Sequence, residues 1–99
     1  ELIWRYEQGE REFGAIDLQQ VNLIQLNLRD INLNRCSLDW SNLSASDLSY
    51  ANLSRADLSY AKLLGTNLTE ANLTSANLSS ADLSWVNLQG AILIGADLE

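Results

Sequence analysis

Histidine, proline and methionine are absent from these 99 residues, and cysteine and phenylalanine occur once each. Without His, any general acid–base chemistry would fall to carboxylates. A single cysteine, Cys36, permits no internal disulfide and says little about redox compartment. The lack of Pro leaves backbone hydrogen bonding along stacked strands uninterrupted. No stretch approaches the apolar length of a membrane span, and no basic-then-apolar leader opens the chain. It starts on Glu1 instead of Met, which leaves a removed leader open; the cytoplasm is the expected compartment. Basic residues are scarce, with six Lys and Arg against thirteen Asp and Glu. Phosphate contacts need clustered Lys and Arg, so direct nucleic-acid binding is disfavoured.

What is present is a strict period of five. Every fifth residue from Phe13 to Leu98 is large and apolar, one Phe followed by seventeen leucines. On an α-helix a step of five would spiral the leucines around the cylinder, and on a flat strand it would alternate them between faces. Only a chain that bends once per repeat keeps them all on one side. The sequence therefore predicts a coil wound around a leucine-filled axis. Two residues before the Leu sits a small inward companion, Ala in most repeats from Ala51 to Ala91, and Asn or Asp usually stands just before the Leu. Small beside large lets a narrow interior close without voids. Asn and Asp bond to nearby backbone and suit a bend in every repeat. Bulkier companions, Ile16, Val21, Leu26 and Ile31, predict wider N-terminal coils.

The units Ala71-Asn72-Leu73-Thr74-Ser75 and Ala81-Asp82-Leu83-Ser84-Trp85 resemble the A(D/N)LXX pattern of the pentapeptide-repeat family, especially its short cyanobacterial-type members. The resemblance covers residues 11–99. It implies an all-β fold, a right-handed quadrilateral β-helix with four repeats per turn, here about four and a half coils long and about 22 Å along the axis at the usual strand spacing. Period five alone would also admit triangular coils. Arg11 at an inward slot, Phe13 for Leu, and Lys62 and Ile92 before the leucine depart from the pattern.

Residues 1–10 lie outside the repeat. Leu2, Ile3 and Tyr6 would share one face of a short helix stopped by Gly9, and its expected role is to cap the first coil. At the other end Ile92 and Ile94 occupy normally polar outward slots beside Leu93 and Leu98, with Leu64 a lesser anomaly. Exposed apolar residues beside unpaired strand groups favour pairing. The expectation is an end-to-end homodimer through Ile92, Leu93, Ile94 and Leu98; the competing reading is that further residues follow Glu99.

No residue announces a reaction. Cys36 occupies an inward slot with no base beside it, the serines lie in no nucleophile-elbow context, and no phosphate loop, zinc spacing or calcium loop is present. No catalytic residue, cofactor or metal is expected. On the four-sided winding that the resemblance implies, Asp17, Asp39, Asp57, Asp97 and Glu99 share one face with no Lys or Arg. Arg11, Arg35 and Arg55 share the preceding face with Glu12. Trp40 and Tyr60 stand one coil apart on the edge of the acidic face and are candidate anchors for a partner; the plainer reading is a solvated face. The expected function is a non-enzymatic rigid solenoid, an interaction or structural module for a protein partner of unknown identity, with no membrane contact. The alternative, which the resemblance also brings, is mimicry of DNA toward a DNA-binding enzyme such as a type II topoisomerase. About 22 Å of B-DNA carries about thirteen phosphate charges, whereas the repeats carry a net of only −5.

Overall fold

A computed structural model describes all residues, Glu1–Glu99. One helix, α1 (Leu2–Glu7), precedes a repeating chain in which parallel β-bridges pair each residue before a core leucine with the residue twenty positions later. Glu12 pairs with Asn32, Asn32 with Asn52, Asn52 with Asn72 and Asn72 with Ile92. Twenty residues per coil at a period of five makes four sides per coil, which excludes the triangular alternative. Residues 11–30, 31–50, 51–70 and 71–90 form coils one to four, and 91–99 begin a fifth. We number the faces by their first core residues: Phe13, Leu18, Leu23 and Leu28 for faces one to four.

One repeat shows why five residues suffice. The Ala51 N–H closes a turn onto the Leu48 carbonyl (3.1 Å). Asn52 donates down to Ile31 (3.0 Å), while Leu53 and Arg55 donate up to Asn72 (2.8 Å) and Thr74 (2.9 Å). The fifth donor, the Ser54 N–H, is taken by the Asn52 side-chain Oδ1 at 3.0 Å. Every amide of the repeat is thus satisfied, as a half-buried backbone requires. Every Asn or Asp before a core leucine makes this same bond to the N–H two residues on, from Asp17 to Gln19 through Asp97 to Glu99. This is the physical reason for the Asn/Asp position. Glu12, Ser37, Lys62 and Ile92 replace it, and no side chain accepts from Gly14, Asp39, Leu64 or Ile94.

The bend itself falls on a residue that the sequence reading did not single out. The residue two after each leucine has φ near +60°, so the left-handed conformation falls on Arg35 (62°), Trp40 (63°), Tyr50 (63°) and Tyr60 (61°), with Asp30 the one Asn or Asp among them. L-residues avoid this region, β-branched ones most of all. No Val, Ile or Thr occupies the slot anywhere in the chain.

The leucines from Leu28 to Leu73 are fully buried, and their companions Ile31, Cys36, Ala51, Ala56, Ala61, Ala71 and Ala76 are buried with them. Polar companions are absorbed by the backbone: Thr66 Oγ1 donates to the Leu43 carbonyl (2.8 Å), and the Ser46 hydroxyl donates to the Leu23 carbonyl. Ser41 Oγ is buried without a partner. At the N-terminus α1 lays Leu2 and Ile3 against the core, and the Tyr6 hydroxyl donates to the Arg29 carbonyl at 2.7 Å. Arg5 pairs with Glu10 and sits 4.8 Å over the Phe13 ring. The Arg11 guanidinium lies 3.7 Å over the Tyr6 ring and donates to the Tyr6 carbonyl at 2.8 Å, so this departure from the repeat ties the helix to the first coil. In the fourth coil and beyond, Leu83, Leu88 and Leu93 are half-buried and Leu98 is 52% exposed.

Candidate protein-interaction surface

The winding stacks residues twenty apart into columns, and two columns bound each face. Asp17, Ser37, Asp57, Asn77 and Asp97 form one column of face two through successive bridges. Asp39 and Glu99 lie in the next column, two residues further along, so the five acidic residues do share one face. Their chemistry is partly committed. Asp57 Oδ1 accepts the Ser59 N–H (3.0 Å) and hydroxyl (2.6 Å), and Asn77 does the backbone part of that work without a charge, at 3.0 Å to Ser79. Asp17, Asp57 and Asp97 stand every second coil, about 10 Å apart at ordinary strand spacing. That is far sparser than the phosphates of a duplex. Asp39 Oδ2 accepts from Gln19 Nε2 at 3.2 Å, and its Oδ1 has no partner.

Trp40 and Tyr60 occupy the corner after this face. Their rings stack 4.4 Å apart at 4°, roughly half-exposed, and Ser80 continues the column. On the corner before the face, Arg35 and Arg55 are exposed and make no ion pair. The face is therefore a row of carboxylates between an aromatic edge and a guanidinium edge. Ile92 and Ile94, 43% and 74% exposed, belong to face one, with Leu93 half-buried between them, while Leu98 lies on face two.

Within the repeats, two exposed aromatics were not singled out from the sequence. Tyr50 holds the corner after face four, with the Arg29 guanidinium 4.5 Å over its ring. Trp85 holds the corner after face three and is 89% exposed. Both occupy the slot of Trp40 and Tyr60, so the four-sided winding was the signal that places them.

Nothing converges as a reaction centre would. Burial pushes the Cys36 thiol above its ordinary range, and its Sγ–H donates to the Phe13 carbonyl at 3.0 Å. Hydrogen bonds from Ser49 and Ser84 hold the Asp47 and Asp82 carboxyls below the usual aspartate range. No three His, Cys, Asp or Glu side chains group to hold a metal, and no helix is long and apolar enough to cross a membrane. The one recess, about 330 Å³, lies between α1 and the first coil, lined by Ile3, Tyr6, Glu7, Arg11, Leu26 and Asn27.

With this geometry established, comparison with known proteins is specific. The family model for pentapeptide repeats matches residues 12–49, 51–90 and 81–99, in eight copies. Among solved structures, the chain is similar to alr5209, a pentapeptide repeat protein from Nostoc Pcc 7120: 37% identity, 91% of this chain and 70% of that one, TM-score 0.74. It is similar to HetL from Nostoc sp. strain PCC 7120, a pentapeptide repeat protein involved in heterocyst differentiation regulation, at 34% identity and TM-score 0.73. That match covers all of this chain but 46% of HetL, so the chain spans about half the length of that relative. A pentapeptide repeat protein of the Arabidopsis thaliana thylakoid lumen is 29% identical over 88% of this chain and 64% of its own, TM-score 0.51. A search of curated proteins gives no significant match. The chain belongs to the pentapeptide-repeat family.

Proposed function

We propose that the protein is a non-enzymatic, rigid β-solenoid, a right-handed quadrilateral rod whose flat outer faces bind a protein partner. The observation that carries this reading is the Trp40–Tyr60 stack at the edge of the acidic face. Two large rings held parallel and half-exposed are preorganised, so little rotamer entropy is lost when a partner covers them. HetL's involvement in regulation is consistent with a fold that works by contact. Capture of partners by the native chain beside a Trp40→Ser, Tyr60→Ser variant tests the reading. A partner retained equally by both would remove this edge from the interface.

DNA mimicry is the second reading, favoured by the gathering of Asp17, Asp39, Asp57, Asp97 and Glu99 on one face. Its test is inhibition of gyrase supercoiling by the native chain and its loss in an Asp17→Asn, Asp57→Asn, Asp97→Asn variant. Because Asn77 serves the turn as an aspartate does, that variant stays folded. The expected result is no inhibition by either protein, given the wide spacing of the carboxylates.

A further inference from the structure

Face three carries a different kind of surface. Its corner column runs Gln25, Ala45, Gly65, Trp85, one residue per coil, and the neighbouring column runs Ile24, Ser44, Leu64, Ser84. Trp85 is 89% exposed, Leu64 46% and Ile24 38%. Beside Trp85 lie two coils with almost no side chain: Ala45 is a methyl group, and nothing approaches within 4 Å of where a Cβ on Gly65 would stand. The corner is thus a projecting indole next to a notch two coils long, walled on one side by Leu64.

The charge of this face is also unlike the rest. Lys62 and Asp82 are its only charged residues, and they cancel. In a chain of net charge −7, most surfaces repel a second copy; this one carries no net charge.

We propose that face three is a self-association surface, joining two copies side by side and antiparallel about a two-fold axis that passes level with Gly65. That axis sets each Trp85, one coil above Gly65, against the partner's Ala45, one coil below it. Each indole then fills the other copy's notch, and the two Leu64 side chains meet across the axis. A single contact is made twice, as a closed two-fold pair requires. The area is small, two indoles and two leucines with Ile24 at the rim, well below a standard interface of about 1,600 Å². The pair therefore forms at high protein concentration and dissociates on dilution. Trp40 and Tyr60 border the opposite edge of this face, whereas the contact is made at the Trp85 corner, so changes at Trp85 and Gly65 test it without altering the residues that carry the proposed partner site.

The test is sedimentation over a wide concentration range. The native chain shifts from monomer toward dimer, and added salt changes the shift little because the contact is apolar and the face carries no net charge. Trp85→Ser weakens association at least about tenfold. The sharper variant is Gly65→Arg: Arg35 and Arg55 already hold this slot at φ 62° and 60°, so the fold accepts it, but the notch is filled. It too loses the dimer, while its melting temperature falls only by the few degrees that left-handed backbone costs an L-residue. An Ile92→Lys, Ile94→Lys variant keeps it. A native chain monomeric throughout, a dimer that survives Gly65→Arg, or one abolished by the Ile92→Lys, Ile94→Lys change would each overturn the proposal, the last by moving the contact to the end of the rod.

Discussion

The rings of Trp40 and Tyr60 lie 4.4 Å apart and within 4° of parallel, although the residues are twenty positions apart in sequence and both hold left-handed backbone. The coil spacing of about 4.8 Å brings residues of one column close to stacking distance. Such a pair is worth about 0.5–1.5 kcal/mol beyond its area. A double-mutant cycle of Trp40→Ser and Tyr60→Ser by thermal unfolding is expected to return a coupling in that range. A coupling near zero would mean the rings do not hold each other in solution.

Leu53→Asp is expected to unfold the chain, since an unpaired charge in this dry interior costs several kcal/mol, comparable with a small domain's whole stability. Ser54→Asp, one residue on, is a milder change. The Ser54 hydroxyl donates to Asn52 Oδ1 (2.7 Å) and accepts from Asn34 Nδ2 (2.7 Å), so its loss costs about 1 kcal/mol. Chemical denaturation separates the two outcomes, and equal losses would contradict the inward and outward assignment.

Ser37 is one of the positions where the side-chain acceptor for the turn is missing, and the Asp39 N–H goes without a protein partner. Ser37→Asn restores the bond that the neighbouring repeats make. The expected gain is about 0.5–1 kcal/mol, read as a rise of a few degrees in Tm. A lower Tm would show that the side chain at this site cannot reach its amide.

Asp47 accepts from the Ser49 N–H (2.9 Å) and hydroxyl (2.6 Å), which holds its carboxyl below the ordinary range. The folded value lies below the unfolded one, so the stabilisation is complete above about pH 4 and is lost as pH falls through the folded value. Asp47→Asn keeps an oxygen for both bonds, as Asn52 does toward Ser54. Its Tm should therefore drop less than the native one between pH 5 and pH 2, by about a degree or two because solvent screens the group. Identical profiles would assign the acid sensitivity to other carboxylates.

The period-five leucines made the inward axis readable, because only a chain bending once per repeat keeps them together. The same pattern could not count sides; that required the twenty-residue register of pairs such as Asn32 and Asn52. The Asn/Asp position was read correctly as a backbone partner, but the left-handed residue was not located. Its signal was present as the absence of Val, Ile and Thr from one slot in five, a pattern easily hidden by Trp, Tyr and Arg standing there. Trp40 and Tyr60 could be paired once four sides were assumed. Trp85 was overlooked because its neighbour Gly65 gives a gap instead of a stack, and gaps leave no mark in a sequence read for what side chains do.

Since one repeat carries the chain a quarter of the way around, insertions and deletions in this protein behave as phase shifts. Removing residues 46–50 would leave every core leucine inside, yet Tyr60 would come to rest above Arg35 and Gly65 above Trp40. Removing residues 41–60 would shorten the rod by a coil and leave the remaining columns aligned. The interior counts such changes modulo five, whereas anything that recognises the outside counts them modulo twenty.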